Sequence, residues 1–343
     1  MTTDQYPKVT VVTIMYGDRW KFLSQVISAT MKDSHVTKMI IVDNGSVNKE
    51  EIENGTKEYG ERVVILRQEK NLGSAGGFAV GIEYARSTVC DFVLLLDDDS
   101  IPEEGFVDYF MDVYTFLPDK NAVLSGCRFN VLNNKDIFFS QTILNDEPRG
   151  TFFEFFSFKK VPKFLELLHV RKKKEIKKAP YTPIIPTEAF VYGGTFLPIE
   201  AVRKTVLPDK KLFLYGDDIE YSWNVKKSGY ASYMASRPRI YDIDFTFGVG
   251  GSYIYGQFEK KLPPFKVYYR LRNMVLLSRR HTRQNKIILF LNIIFWVLGL
   301  YFLGFLRYGH TSEYYKRIIL MTKAVVAGYF PESAFAKRIE NSF

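Results

Sequence analysis

From Lys8 to Met15 the chain runs through β-branched and apolar residues, too few for a helix, and this predicts a first strand buried on both faces. The pattern turns polar at Tyr16 to Arg19, a loop. Phe22, Leu23, Val26, Ile27 and Met31 then recur at helical spacing, so Trp20 to Met31 reads as an amphipathic helix. Lys38 to Val42 is a second short apolar strand, ending in Asp43-Asn44-Gly45-Ser46 and completing a βαβ unit. Arg62 to Leu66 is strand-like, the glycine-rich Asn71 to Phe78 and a helix-period stretch to Arg86 follow, and Phe92 to Leu96 is the next strand. Strands alternating with helices predict an α/β fold: a mainly parallel sheet, right-handed crossovers, helices on both faces. Val123 to Phe129 and Ala189 to Leu197 read as further strands, separated by an insertion over residues 140–180.

That insertion holds an aromatic run, Phe152 to Phe158, and a basic stretch, Lys159 to Lys178; it reads either as a solvated helix face or loop, or as a surface for membrane or acceptor. Beyond Gly256 the pattern changes again. Ile287 to Leu306 is twenty residues without a formal charge, long enough to cross a bilayer, with Arg279, Arg280, Arg283 and Lys286 before it and Arg307, Lys316 and Arg317 after. Asn292, Gly299 and Gly304 interrupt it, which leaves three readings open: a span, an interfacial or re-entrant helix, or a core helix in an oligomer. The expected organisation is a catalytic domain at residues 1–255 and a helical, membrane-associating region at 256–343.

A chain of 343 residues accommodates one large α/β domain with such an appendage. Its net charge of +9 favours anionic partners, among them a membrane surface or a phosphorylated substrate. Nucleic acid is not expected, because no binding motif occurs and the basic residues cluster in the insertion and the tail. The aromatic fraction, 16%, is high for a soluble core alone. Two cysteines, Cys90 and Cys127, make no disulfide framework or zinc spacing and suit a reducing, cytoplasmic setting; the polar Met1 to Lys8 has no secretory apolar stretch.

Candidate chemistry starts at Asp97-Asp98-Asp99, directly after Leu94-Leu95-Leu96. Three carboxylates at the end of a buried strand repel one another and resist desolvation, a cost that a divalent cation removes. Strand alternation would turn Asp97 and Asp99 to one site and Asp98 away. All-oxygen ligation suits Mg²⁺ or Mn²⁺ bridging to a diphosphate; the alternative is a solvated acidic loop. In open sheets of this type ligands bind beyond the carboxyl ends of the strands, where Tyr16, Asp18, Asp43, Asn44 and Asn71 also lie. A second cluster, Asp217-Asp218-Ile219-Glu220, begins a helix: either acid is a candidate N-cap or, near a metal, a general base. Gly73, Gly76 and Gly77 permit close approach of a ligand before a helix N-terminus, or equally tight helix–sheet packing. The four histidines have no metal-ligand spacing.

Taken together, Val9 to Tyr16, Val42 to Ser46, Asn71-Leu72-Gly73, Leu95 to Asp99 and Gly216 to Glu220 resemble family 2 glycosyltransferases of the GT-A fold over residues 8–250. Asn71 to Phe78 and Asp217 to Tyr221 are most similar to bacterial galactofuranosyltransferases; rhamnosyltransferases come next and share Arg272-Asn273. The resemblance implies that Tyr16 and Asp43 bind uracil, that Asn71, Gly73, Gly76, Gly77, Asp97 and Asp98 contact the donor, that Asp97 and Asp99 hold the metal, and that Asp218 is the base. Asp217, Glu220 and Trp223 are the implied acceptor contacts. The implied reaction is inverting transfer from UDP-galactofuranose to a lipid-linked or growing glycan at the cytoplasmic face of a bacterial plasma membrane. The rivals are dTDP-rhamnose as donor, or a non-catalytic membrane-tethered binding protein; an oligomer is compatible with all three. The family's metal-binding histidine downstream of the base is missing from Ile240 to Phe245, so Asp242 is inferred to replace it, with Asp244 in reserve.

Overall fold

The computed structural model describes residues 6–131, 135–136, 184–244, 258, 262–281 and 285–340. The insertion, including Phe152 to Phe158 and Lys159 to Lys178, and the expected domain boundary at 255/256 lie outside the described residues. Those described fall into two compact units, one of residues 6–136 with 184–244 and one from 258 onward.

In the first unit the elements run β1 (Val9–Met15), α1 (Trp20–Met31), β2 (Val36–Asn44), α2 (Lys49–Thr56), β3 (Val63–Gln68), α3 (Gly73–Ala85), β4 (Phe92–Asp97), β5 (Ser100–Pro102), α4 (Phe106–Phe116), β6 (Ala122–Asn130) and β7 (Lys135–Asp136). After the insertion come β8 (Ile184–Thr187), β9 (Thr195–Pro198), α5 (Ile199–Lys204), α6 (Asp217–Lys227) and β10 (Ala231–Asp242). The strands form one sheet ordered β3-β2-β1-β4-β9-β6-β10-β5, with β7 on β6 and β8 on β10. Pairing is parallel through β3-β2-β1-β4 and between β6 and β10; the short β9 is antiparallel between β4 and β6.

Alternation with period two explains the two buried faces. Val9, Val11, Met39, Ile41, Leu94 and Leu96 point to the side covered by α1 and α4, where Phe196 stacks between Phe92 and Phe110. Val12, Ile14, Ile40, Val42, Val93 and Leu95 point to the side of α3, α5 and α6. The expected strand Ala189 to Leu197 is corrected: β8 ends at Thr187 and β9 begins at Thr195, because residues 188–194 turn to bring β9 back between β4 and β6.

The second unit holds α7 (Pro264–His281), α8 (Lys286–Tyr308), α9 (Ser312–Tyr329) and α10 (Ala334–Glu340). Helix α8 is long and apolar enough to cross a membrane by length and composition.

Candidate active site

Parallel pairing brings the carboxyl ends of β1, β2 and β4 to one edge, with Ile14 opposite Asp97 and Met15 opposite Asp43. The strand ends at Asp97, and Asp98 and Asp99 form a turn before β5. The expectation that Asp98 turns away from Asp99 is therefore corrected, since alternation stops where the strand does. One guanidinium binds both: Arg19 Nε donates to Asp98 (2.7 Å), Nη2 to Asp99 (2.8 Å) and Nη1 to Asp244 (2.6 Å).

A second guanidinium closes the other side. Arg128, at the end of β6, donates from Nε and Nη2 to Asp242 (2.8–3.1 Å), and its Nη1 lies 3.8 Å from Asp97. Ser100 Oγ also donates to Asp242, at 3.3 Å. Asp242 is thus engaged by both Arg128 and Ser100. Gly193, in the turn before β9, forms the floor: a Cβ there would come within 2.7 Å of the Asp97 carboxylate and 3.2 Å of Arg128 Nη1.

Burial dominates the electrostatics. Asp97 and Asp98 are each pushed up to about 6 by desolvation, against Arg128 and Arg19 respectively. Asp99 is pushed up to about 7 by desolvation and then by the charges of Asp97 and Asp242. Two arginines for six acids, Asp97, Asp98, Asp99, Asp218, Asp242 and Asp244, leave an excess of carboxylate oxygens, the donor chemistry that a hard divalent cation takes. Among the described residues no three acidic, histidine or cysteine side chains are already set around an ion position. Of the neighbouring charges, that of Asp97 weighs most on Asp99; these are the two acids for which the family resemblance implies a metal.

The second acidic cluster arrives through a strained turn. Phe213 and Tyr215 have φ of 61° and 69°, rare for side chains with a Cβ, and Gly216 has φ of 80°. Gly216 is the residue that precedes the first turn of α6, so the alternative of Asp217 or Asp218 as N-cap is corrected. Asp218 is half-buried and accepts a hydrogen bond from Ile219 N at 2.8 Å. Desolvation pushes it up to about 6, with that amide and Arg128 opposing. Asp217, expected to touch the acceptor, is instead buried; Ser74 Oγ lies 2.9–3.0 Å from both its oxygens, and burial and Asp218 hold its carboxyl well above the usual range. Glu220 is buried too, and Trp223 is half-buried.

On the donor side Tyr16 follows β1, partly exposed, its hydroxyl raised by burial and opposed by Arg19. Asp43 is buried; it accepts from Ser46 N at 2.9 Å and lies 3.3 Å from Arg67. Asn71 caps the turn into α3 by accepting from Gly73 N (2.8 Å), while Asn44 accepts from Leu72 N (2.9 Å). Helix α3 begins at Gly73, inside the glycine run, and the carbonyl of Phe213 already accepts from Ala75 N at 3.1 Å. One amide of that helix start is therefore already engaged within the fold. Gly76 faces Leu72 and Gly77 faces Ile14, so packing accounts for both. Gly73 is needed for φ of 71° and because a Cβ would sit 1.9 Å from the Phe213 carbonyl oxygen. Arg19, Arg128 and Gly193 were not singled out from sequence; the only signals were an arginine in the loop after β1, one ending an apolar strand, and the pair Gly193-Gly194.

An α/β sheet with a carboxylate turn at its carboxyl edge and a second acidic helix start beside it gives this unit a GT-A-like fold. Residues 10–165 match the family described as Glycosyl transferase family 2. The chain is 24% identical over 194 residues to galactofuranosyltransferase GlfT1 of Mycobacterium tuberculosis, a match covering 56% of this chain and 55% of that one. The chain thus spans little more than half the length of that relative. Its fold is similar to that of GalNAc-T7 crystallised with UDP, GalNAc and Mn²⁺ (TM-score 0.54, 13% identity, 80% of this chain and 48% of that one). It is similar as well to the Pyrobaculum calidifontis mannosyltransferase PcManGT in complex with GDP-Man and Mn²⁺ (TM-score 0.50, 12% identity, 99% and 80%). At those identities the likeness is one of fold.

Proposed function

We propose that the protein transfers galactofuranose from UDP-galactofuranose, with inversion, to a hydroxyl of a lipid-linked or growing cell-surface glycan, at the cytoplasmic face of a bacterial plasma membrane. The observation that carries this reading is the pairing of the Asp97–Asp99 turn with Asp218, a carboxyl whose affinity for protons is raised toward neutrality. The similarity to GlfT1 favours galactofuranose over dTDP-rhamnose.

In this reading Asp218 takes the proton of the acceptor hydroxyl as its oxygen forms a bond to the anomeric carbon. The bond to the diphosphate breaks on the opposite face, and its electron pair leaves with the nucleoside diphosphate. Asp97 and Asp99 would hold a Mg²⁺ or Mn²⁺ ion, which would neutralise charge on that diphosphate. Asp242, the further ligand inferred from sequence, would join such a site while paired with Arg128. Arg128, paired with Asp242 and close to Asp97, also lowers the proton affinity of Asp218. Asp217, tied to Ser74, positions the first turn of α6 rather than touching the sugar. Tyr16 and Asp43 are assigned to the base and Asn71 to the donor through the turn it caps. Residues 1–255 form the transferase domain in this reading, and 256–343 the membrane-associating region.

The test is a donor panel with purified protein, with and without EDTA. Turnover of UDP-galactofuranose above dTDP-rhamnose, lost in EDTA and restored by Mn²⁺ or Mg²⁺, is the expected result. Turnover of no donor at all would leave a binding protein on a transferase scaffold.

A further inference from the structure

The charge of the chain is concentrated in its last helices. Between residues 262 and 340 there are thirteen Lys and Arg against three Asp and Glu, an excess of ten, more than the +9 of the whole chain. Within that segment α8 has two unlike faces. Leu289, Asn292, Ile293, Trp296, Leu300 and Gly304 are buried, a stripe at helical spacing. On the opposite side Ile287, Leu291, Ile294, Leu298, Phe302 and Leu306 are 36–68% exposed. That apolar face runs the full length of the helix, about 34 Å at 1.5 Å per residue, and no charge interrupts it between Lys286 and Arg307.

The buried stripe shows what α8 already holds. Only residues 309–311 separate it from α9, Tyr314 hydroxyl donates to the carbonyl of Tyr301 at 2.9 Å, and the Tyr301 hydroxyl is hydrogen-bonded to Thr322. Helix α9 in turn lies against α7, close enough that a Cβ on Gly328 would meet the Arg272 carbonyl oxygen at 2.3 Å. Buried arginines lock these helices: Arg272 pairs with Glu340 at 2.8 Å, and Arg317 donates to Glu313 and to the carbonyl of Leu262. If α8 crossed a bilayer in this arrangement, α9 would enter the hydrocarbon with the exposed Lys316 and Lys323, which membranes exclude. If it crossed alone, it would leave α9 and present Asn292 to lipid.

We propose that α8 lies in the plane of an anionic membrane, its Ile287–Leu306 face sunk into one leaflet, while Lys286, Arg307, Lys316 and Lys323 meet acidic headgroups. This rests on the membrane contact proposed above and selects the one-leaflet anchor over a span. Apolar burial and attraction to acidic lipid act together in such helices.

Flotation of the full chain with vesicles tests it. Binding is expected to phosphatidylglycerol/phosphatidylcholine vesicles and to be at least about tenfold weaker to phosphatidylcholine alone. Leu298→Glu, on the exposed face, is expected to cut flotation at least about tenfold with the melting temperature unchanged. Lys286→Cys and Ser312→Cys, tested singly, place a thiol near either end of α8 while the native cysteines stay buried; both are expected to react with an impermeant maleimide added outside the vesicles, before detergent. Protection of one thiol until detergent is added would mean a span, overturning the in-plane reading and leaving membrane contact standing. Absence of flotation with either lipid would overturn both, and donor turnover reports on the transferase reading separately. A dimer in solution that Leu298→Glu dissolves would assign the face to a second copy of the chain and overturn the proposal.

Discussion

Asp218 combines a carboxyl raised to about 6 with a place at the start of α6 near Arg128. As a base it must be ionised, so turnover is expected to fall with an acid limb near pH 6 and to be flat above it, read as kcat against pH. Asp218→Asn is expected to lower kcat about 10²- to 10⁴-fold while donor binding by calorimetry stays near wild type; full turnover would remove Asp218 from the role. Stability should follow the opposite pH trend. The carboxyls of Asp97, Asp98 and Asp99 have folded-state values above those of an unfolded chain, so the folded state binds more protons between about pH 4 and 7 and stability falls as pH rises through that window. The metal-free protein is expected to melt higher at pH 5.5 than at pH 7.5, and Mn²⁺ to narrow the difference. Arg19→Ala leaves Asp98, Asp99 and Asp244 without their shared cation and is expected to cost on the order of 3 kcal/mol at pH 7.5 by denaturant unfolding, less at pH 5.5.

At the scale of elements, β4 and α3 carry most of what positions the site. Both faces of β4 are buried, so Leu95→Ala is expected to destabilise by about 2–5 kcal/mol without altering the Asp97 turn, checked by donor binding at low temperature. Helix α3 meets the turn that delivers Asp217 and Asp218 where Gly73 and Ala75 N face the Phe213 carbonyl and Ser74 Oγ reaches Asp217. Gly73→Ala adds both a clash and a left-handed backbone cost, and should depress kcat more than it raises KM, because it displaces the base rather than the donor. The strands β1, β2, β3, β4 and β6 were legible in the sequence to within two residues, since a strand buried on both faces is a plain apolar run. The break between β8 and β9 was not: Ala189 to Leu197 is mostly apolar, and although Gly193-Gly194 interrupts it, pairing of Thr195 with Leu95 and Ser125 decides where the ladder restarts.

For the whole molecule, the excess of basic residues in the last helices makes salt a discriminating variable. Raising ionic strength from 0.1 to 1 M shortens the screening length from about 10 to about 3 Å, so flotation with anionic vesicles is expected to weaken without vanishing, the residue being the apolar face of α8. The sequence by itself determined the α/β alternation, the two acidic clusters, the glycine run and the apolar helix, because each is written in consecutive residues with a local physical cause: period, charge density, chain flexibility or length. It also carried the family resemblance. Only the tertiary structure decided which charges meet. Arg19 reaches Asp244 across 225 positions and Arg128 reaches Asp242 across 114, and no local pattern encodes such pairs. It likewise decided that Asp217 faces Ser74 in the interior and that the glycines of α3 serve packing, since burial of a polar group depends on what the rest of the chain folds over it.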